Sequence, residues 1–552
     1  MNSLCLTCII QDIKSIYQGS VFPMFTMVCL SISAIGLSVY LLLCSCFFDV
    51  RTLSLISYDD SVVSPSTFNE VHVHFDFKGA PLSLSYITDI LPILAYTGTT
   101  GLILEWEDML PYGDKFDNTH PYKETQVFFI LAKAEANNLT VIPLVPLYSD
   151  MDWVLKVKDY ARLRQSFNDT RFMCPNATVS LDLISKMINR VMDFHRDAKY
   201  FHIGFRGPFP QESQDCSYEC CKGRPLYDVI IDYLVTIVFH FHHLYPHMKL
   251  LMWDDLFRCI PVGSVKKLKG MGNYVIPVVQ PLEEAGLFGE NLESYTAFLS
   301  AIFPEVWISG SYRGSPEPHE FKLIPNLNQH LSLNSKQVDY VEKFQYMFDF
   351  PITSFVLTGP QRDSHYSLLN ELTPASLPCI TLSSYCLRHK VVGYKGLTTL
   401  FRELRCPPFH PTDEGAYSRC GFPGSQVYKV MMELDTLVRS DEYHQFEEWK
   451  TSRYMWYNLR HRYLPAQEIR NNLLVLDSIW KRLQQIVKEL KSHLGDKLFH
   501  SSDAEEWLEQ NILPLYQDVK RMRQTMSSMK RFWHWPRRQF NTSEDLIREF
   551  GN

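Results

Sequence analysis

The sequence lacks a strong net charge, internal repeats and low-complexity tracts. Its 54 Lys and Arg residues and 61 Asp and Glu residues give a net charge of −7 at pH 7, so the charge balance does not indicate a nucleic-acid partner. No stretch recurs with a period of 20–50 residues, which argues against solenoids and propellers. A chain of 552 residues with 46% hydrophobic content can bury a large core. We expect a globular protein of two to four domains.

The N-terminal part also lacks charge, since no charged residue lies between Lys14 and Asp49. Its apolar run is long enough to cross a bilayer, which takes about 20 helical residues. A cleaved signal peptide would have a shorter apolar core of roughly 7–15 residues. We therefore predict a cytoplasmic tail at 1–23, an uncleaved transmembrane signal anchor at 24–48 and a stem at 49–67. These segments predict a single-pass type II membrane protein of the secretory pathway (ER or Golgi lumen), or a secreted one if the segment is cleaved.

Cysteines and glycosylation sequons fit that pathway. Cysteines crowd the segment 216–221, and Cys406 and Cys420 bracket a Pro- and Gly-rich segment, as disulfides in an oxidising compartment would. Nine cysteines follow the predicted anchor, so at least one is free or pairs with another chain. A zinc site at 216–221 is the alternative. Four sequons also follow the anchor. They lie at Asn138, Asn168, Asn176 and Asn541.

After residue 67, short apolar runs alternate with helix-like stretches. Each run is rich in Val, Ile, Leu or Phe, which suits strands that are buried on both faces. Eight such runs predict an α/β fold, a (β/α)8 TIM-type barrel over 68–395. An open doubly wound sheet is the alternative, although no Gly-rich phosphate loop follows the first run. The runs are 71–77, 101–105, 140–147, 200–204, 250–253, 274–279, 305–309 and 354–358.

The composition changes again after the predicted barrel. A linker rich in Pro, Gly and Cys is predicted at 396–425, and an α-helical domain at 426–552. Apolar residues recur by three and four from Leu473 to Leu494. Ser502 and Glu505 form a capping-box pattern that would open the next helix. A helical bundle packed on the barrel is the first interpretation, and a homodimer through these helices is the second.

Short sequence motifs lie at the ends of the predicted strands, one after another along the chain. They include FDFKGAP after the first strand, EWEDMLPY after the second and WDD after the fifth. Together they cover about residues 70 to 385 and resemble the hexosaminidase D-type members of glycoside hydrolase family 20. The matching words lie at 75–81, 105–112, 143–145, 202–204, 253–255, 303–307 and 357–372.

This resemblance implies β-N-acetylhexosaminidase activity by substrate-assisted catalysis, an exception to the usual two-carboxylate scheme. In the family, the sugar acetamide attacks the anomeric carbon, a Glu protonates the leaving oxygen, and an adjacent Asp orients the acetamide. In the family, the Asp-Glu pair stands one residue after a His-Ile-Gly motif. The corresponding residues of this chain are Arg206 and Gly207. Arginine stays cationic and glycine offers no proton. Ser149-Asp150 and Gln280 also replace an expected Gly-His pair and an expected Trp. The resemblance therefore predicts a catalytically impaired homologue that retains glycan binding.

Other carboxylates are candidates to replace the missing pair. Glu105 and Glu107 are two residues apart and would share one face of a strand. Asp254 and Asp255 follow another predicted strand, where barrel enzymes place catalytic groups. An active enzyme that removes terminal GlcNAc or GalNAc through these residues is the second hypothesis, and a non-catalytic interaction protein that uses its helical tail is the third. Sugar contacts are expected from Asp76, Glu107, Trp253, Asp255, Trp307 and Arg362.

No metal and no cofactor are expected. His72, His74 and Asp76 share one strand face, and three histidines at 240–247 share one helix face. Core packing explains the first set better than a metal, and the helix dipole favours histidine near a helix C-terminus for the second. The expected partners are a glycan or glycoprotein ending in N-acetylhexosamine and, through the N-terminal helix, a membrane.

Overall fold

The computed structural model describes residues 68–206, 216–260, 262–281, 289–314, 323–370, 372–389, 397–531, 534–538 and 548–550. Eight parallel strands in this part of the chain close into a barrel. The barrel strands are β1 (Glu70–Asp76), β2 (Gly101–Glu105), β3 (Thr140–Leu144), β6 (Tyr200–His202), β7 (Lys249–Trp253), β8 (Val275–Val279), β9 (Trp307–Ser311) and β10 (Ser354–Thr358). Their order around the barrel is β1-β10-β9-β8-β7-β6-β3-β2.

The predicted barrel is therefore confirmed, and the doubly wound alternative is wrong. Every residue of β2 and β8 is buried, which is why these strands read as continuous apolar runs rather than as alternating ones. Two short antiparallel strands, β4 (Arg164–Ser166) and β5 (Asp169–Met173), form a separate hairpin after β3.

Helices follow most barrel strands and cover the outside of the barrel. Polar N-caps begin several of them: Ser83 accepts a hydrogen bond from the backbone N–H of Tyr86, and Asn326 accepts one from Gln329. The helices up to the end of the barrel are α1 (Leu84–Tyr96), α2 (Glu124–Ala136), α3 (Asp152–Leu155), α4 (Ala177–Phe194), α5 (Tyr218–Cys221), α6 (Leu226–Leu244), α7 (Asp255–Cys259), α8 (Gly289–Ser300), α9 (Leu327–Phe344) and α10 (Thr373–His389).

Side chains fill the barrel interior, as expected for a barrel of this size. His72 stacks on Trp307 with the ring centroids 4.9 Å apart. His74 bonds to Glu105 at 3.0 Å and to Thr358 at 2.8 Å. Both histidines are buried in the core; His74 has a partner on each ring nitrogen, whereas Nδ1 of His72 has no hydrogen-bond partner among the described residues.

The C-terminal part is helical, and its long helix lies within a bundle. Leu476, Leu483 and Leu490 of the predicted seam are buried inside the chain. The homodimer and the domain boundaries stay predictions. The next helix begins at Ser501, with His500 and not Ser502 as its N-cap. The helices are α11 (Thr398–Glu403), α12 (Ser425–Val438), α13 (Asp441–Thr451), α14 (Arg453–Arg460), α15 (Ala466–Leu498), α16 (Ser501–Asn511) and α17 (Leu513–Met529).

The predicted single-pass type II membrane protein requires correction. Among the residues that the structure describes, no helix is long and apolar enough to cross a membrane. The segment 24–48, on which that prediction and the membrane partner rested, lies outside the described residues.

The cysteine clusters form disulfides, as predicted. Cys174 pairs with Cys220, and Cys406 pairs with Cys420. Cys216 pairs with Cys221, so the alternative of a zinc site at 216–221 is wrong. The Cys174–Cys220 bond ties the start of α4 to the segment before α6.

Removing that bond is expected to destabilise the protein. The Cys174→Ser/Cys220→Ser variant releases a bond between residues 46 positions apart, and the chain-entropy model assigns such a bond about 2–4 kcal/mol. Urea unfolding monitored by circular dichroism measures the loss. Cys259→Ser, which removes a free and partly exposed thiol, is the matched control. Equal unfolding midpoints for the two variants would contradict the prediction.

Candidate functional site

Three carboxylates meet at the carboxyl-terminal end of the barrel. Asp76 ends β1 and lies opposite Glu105, the last residue of β2. Glu107 follows in a short turn with a positive φ of 42°, so it does not share a strand face with Glu105 as expected. Carboxylate oxygens of all three nevertheless lie within 4.8 Å of one another. Such crowding needs a compensating positive charge.

Lys78 supplies that charge. Its Nζ lies 3.3 Å from Asp76 and 2.5 Å from Glu107, and its side chain is almost completely buried. Lys78 therefore supplies a positive charge in direct contact with two of the three carboxylates.

The three carboxylates have different proton affinities. Burial raises the pKa of Asp76 and of Glu107, although the charge of Lys78 opposes both shifts. Burial also disfavours ionisation of Glu105, but Lys78 and His74 outweigh it and lower the pKa of Glu105 to about 2. Glu105 therefore stays ionised and holds His74.

Glu107 is fully buried and engaged on both oxygens. Its second oxygen lies 2.5 Å from Nε2 of His365, which comes from the segment after β10. Burial, followed by the charge of Lys78, lowers the pKa of His365 to about 2. His365 is therefore neutral, with Nε2–H donating to Glu107 and Nδ1 accepting from Lys156 at 3.2 Å. In this arrangement Glu107 holds the surrounding segments together and offers no free oxygen to a sugar.

Arg206 reaches the same face through a sharp turn after β6. Gly204 and Phe205 have φ values of 66° and 69°, and a Cβ on Gly204 would meet Cα of Pro146 at 3.0 Å. The turn sets the Arg206 guanidinium 5.8 Å from the centroid of the Trp253 ring. Gly207, the other replaced position, lies outside the described residues.

The surroundings of Arg206 are acidic. Burial disfavours its charge, but the carboxylates of Asp150, Asp255 and Glu105 raise its pKa above the ordinary value. Burial in turn raises the pKa of Asp150, and Arg206 opposes that shift. The cation at the replaced position is thus balanced by carboxylates from other strand ends.

Asp254 and Asp255 differ in the number of hydrogen-bond partners that they have. Asp254 is fully buried and accepts hydrogen bonds from Arg258 at 2.8 Å and from the hydroxyl of Tyr295 at 2.8 Å. The backbone N–H of Gln280 donates to it at 2.9 Å. Asp255 has an oxygen, Oδ2, with no hydrogen-bond partner in the described part of the chain. Burial, then the charge of Asp254, raises its pKa to about 6. Asp254 therefore has its oxygens engaged by three donors, whereas Asp255 is buried with one oxygen unpartnered within the described residues.

Other polar atoms near Asp255 are also unpartnered among the described residues. Nε of Arg206 and Nε2 of Gln280 are buried without a hydrogen-bond partner there. Buried polar groups in native proteins nearly always find a partner. With Oδ2 of Asp255 they make three buried polar atoms that have no hydrogen-bond partner in the part of the chain that the structure describes.

The remaining residues that were predicted to contact sugar lie in different parts of the barrel. Trp253 ends β7 and packs against His202 with the ring centroids 4.5 Å apart, so it joins the face around Arg206. Trp307 begins β9 and stacks on His72 inside the barrel, away from the carboxyl end of its strand. Arg362 lies after β10 and bonds to Glu506 of α16 at 2.8 Å.

The predicted glycosylation positions vary in their surroundings. Asn138 and Asn168 are exposed. The side chain of Asn176 caps α4 and donates to the backbone carbonyl of Glu219 at 3.1 Å. Asn541 lies outside the described residues. Modification of these residues stays a prediction.

No role was predicted for Lys78, Asp150 or His365. All three lie within or near the motifs that follow the predicted strands, so the sequence did indicate that they are close to strand ends. A lysine between two carboxyl-bearing strand ends was a usable signal for charge compensation. Nothing in the sequence showed that His365 would meet Glu107, because the two are 258 residues apart.

Comparison with known proteins identifies relatives across most of the chain. It is 28% identical over 492 residues to hexosaminidase D of Homo sapiens, covering 83% of this chain and 94% of that protein. It is 29% identical over 332 residues to hexosaminidase D of Bos taurus, covering 57% and 91%. These relatives confirm the resemblance. No family model matches the chain.

Comparison with solved structures finds chains that are more distant in sequence. A β-N-acetylhexosaminidase from Bacteroides fragilis has a TM-score of 0.42 at 12% identity, covering 59% of this chain and 67% of that one. A chitobiase from Flavobacterium johnsoniae has a TM-score of 0.43 at 9% identity, covering 84% and 78%.

Proposed function

We propose that this chain, a homologue of hexosaminidase D, binds a terminal N-acetylhexosamine on the carboxyl-terminal face of its barrel with little or no hydrolysis. The observation that carries the proposal is the position of Arg206. Its guanidinium stands where the resemblance places the acetamide-orienting Asp, beside Trp253 and among Asp150 and Asp255.

The replacement opposes the chemistry of the family. Substrate-assisted cleavage develops positive charge on the sugar as the oxazolinium forms, and a guanidinium at this position repels that charge. Guanidinium N–H groups are donors only, so Arg206 cannot accept the acetamide N–H as a carboxylate would. Loss of a general acid alone typically costs about 10²–10⁴ in rate. The two changes together predict a hydrolysis rate lower still.

The same groups support binding. A sugar hydroxyl can donate to Oδ2 of Asp255 and accept from Nε of Arg206, the two unpartnered atoms described above. The positive charge is balanced by Asp150 and Asp255, so the face remains suited to a neutral, hydroxyl-rich ligand. A donor and an acceptor held by charged side chains give stronger hydrogen bonds than neutral groups do.

A second function, hydrolysis through a relocated carboxylate, has one observation in its favour. The raised pKa of Asp255, about 6, would let this carboxyl hold a proton near neutral pH, as a general acid must. Glu107 is a poorer candidate because Lys78 and His365 occupy both of its oxygens. The interaction-protein hypothesis stays a prediction.

Binding of N-acetylglucosamine and N-acetylgalactosamine tests the proposal. We expect isothermal titration calorimetry to detect binding by the natural chain, and Asp255→Asn to weaken it about 10-fold, since a hydrogen bond to a charged group contributes about 1.5–3 kcal/mol. The exposed Asp197→Asn is the matched control and should bind like the natural chain. Absence of binding by the natural chain, or equal loss in both variants, would refute the proposed site.

A further inference from the structure

Helix α16 is held on the barrel by the segment that follows β10. The backbone N–H of Leu369 donates to the side chain of Gln510 at 2.9 Å. Arg362 donates to Glu506 of the same helix at 2.8 Å. The same segment presents His365 to the candidate site. A change in the docking of α16 would therefore reach that site.

One carboxyl group at the start of α16 is poorly matched to its surroundings. Asp503 lies in the first turn of the helix, and its Oδ2 is buried with no hydrogen-bond partner in the described part of the chain. Its other oxygen, Oδ1, lies 3.4 Å from the hydroxyl oxygen of Ser502, a long distance for a hydrogen bond. A buried carboxylate with so few donors is less favourable than the neutral acid.

Charged groups from two elements act on this carboxyl. Burial, then the charge of Glu506, raises the pKa of Asp503 to about 7. Ser502, the Arg362 guanidinium and the backbone of His500 oppose that shift. Arg362 forms its ion pair with Glu506 rather than with Asp503, and its charge acts less strongly than that of Glu506. Asp503 therefore keeps its proton at pH values at which an ordinary aspartate is ionised.

Two further titratable side chains lie near Asp503. Burial, then the charge of Asp503, raises the pKa of Tyr122 well above its ordinary value. The phenol is therefore neutral, and its hydroxyl donates to the backbone carbonyl of Leu82 at 2.6 Å. His500, the N-cap of α16, stacks on His120 with the ring centroids 4.8 Å apart. Neither Tyr122 nor His500 supplies a donor to the buried Oδ2.

We infer that Asp503 makes the docking of α16 on the segment after β10 depend on pH. While the carboxyl is protonated, the helix stays docked. When the carboxyl ionises beside Glu506, local opening of the contact relieves the repulsion and hydrates the unpartnered oxygen. The docked state binds this proton more tightly than the open state, so the stability of docking falls as pH rises from 3.8, the ordinary pKa, to about 7. This dependence goes beyond the proposed function and does not require that the barrel bind a sugar.

Hydrogen exchange of the full chain, followed by mass spectrometry, tests the inference. Observed rates are divided by the intrinsic rate at each pH, which gives the protection of each segment. Protection of 362–370 should fall about 10-fold or more between about pH 5 and pH 8, since one pKa unit corresponds to a factor of ten. The Asp503→Asn variant cannot ionise at this position. It should keep at the higher pH the protection that it has at the lower one.

Glu505→Gln is the matched control. It removes an exposed carboxylate from the same helix, and the natural pH dependence should remain. His120 and His500 are retained in both variants, so their titration cannot cause a difference between them. Equal pH dependence in the natural chain and in Asp503→Asn would overturn the inference, as would its loss in Glu505→Gln. An equally large change in strand β8 would also overturn it, because the whole barrel and not the α16 contact would then respond to pH.

Discussion

Replacing Lys78 with methionine is expected to lower the free energy of unfolding by about 3–5 kcal/mol, the usual cost of breaking a buried ion pair by removing one partner. Methionine retains much of the apolar volume of the side chain but leaves Asp76 and Glu107 without their ammonium. Both carboxyls would then take up protons more readily, since burial already raises their pKa values.

Lys115→Met is the matched control. Lys115 also pairs with a carboxylate, that of Asp159, but its side chain is 71% exposed. Exposed pairs of this kind contribute little to stability, so this variant should unfold like the natural chain. Urea unfolding at pH 7 compares the two. Equal losses in both variants would show that burial does not give the Lys78 cluster its importance.

Replacing Trp507 with alanine is expected to destabilise the protein by about 3–5 kcal/mol, the range found for large aromatic residues in protein cores. Its ring is almost completely buried, and its indole N–H donates to the backbone carbonyl of Asn370 at 2.9 Å. Helix α16 thereby holds the segment after β10, which presents His365 to Glu107. The backbone amides near His365 should also exchange hydrogen faster in this variant.

Two comparisons separate packing from the hydrogen bond. Trp507→Phe keeps a six-membered ring but loses the pyrrole ring with its N–H, so a loss between about 1 kcal/mol for the hydrogen bond and the roughly 3–5 kcal/mol of Trp507→Ala is expected. Trp456→Ala removes an indole that is 58% exposed and should change stability by less than about 0.5 kcal/mol. If Trp507→Ala unfolds normally and leaves amide exchange near His365 unchanged, α16 does not support that segment.

The strands were predictable because a strand that is buried on both faces is apolar at nearly every position. Each barrel strand reads as an apolar run, and the residue at the end of a run lies at the carboxyl-terminal face. Asp76 and Glu105 were placed correctly for that reason. Disulfides within the clusters, Cys216–Cys221 and Cys406–Cys420, were predictable because nearby cysteines need little chain to meet, whereas the bond from Cys174 to Cys220 across 46 positions was not predicted.

The position of the seventh barrel strand, β9, was predicted incorrectly. Its apolar run was expected to end at residue 309, but β9 extends from Trp307 to Ser311. A strand advances about 3.3 Å per residue, so Trp307 lies roughly 13 Å below the strand's carboxyl end. It therefore packs on His72 in the barrel interior. A shift of two residues was enough to move a ring from the predicted site into the core.

Contacts between distant segments were beyond the sequence. The bond from His365 to Glu107 and the docking of Glu506 against Arg362 join residues more than 100 positions apart. No local pattern encodes such pairs, because each partner alone reads as an ordinary polar residue. The helical character of the C-terminal part was predictable from its periodicity, but its contact with the segment after β10 was not.

We propose that Arg206 and Gly207 remove hydrolysis while the surrounding face remains able to hold the sugar. Release of 4-nitrophenol from the β-N-acetylglucosaminide and β-N-acetylgalactosaminide, followed from about pH 4 to 7, where carboxyl groups of raised pKa change protonation, tests it most directly. We predict that the natural chain is indistinguishable from a buffer blank and that Arg206→Asp/Gly207→Glu gains at least about 100-fold. Turnover by the natural chain well above the blank, abolished by Asp255→Asn, would contradict this account and establish hydrolysis through a relocated carboxylate.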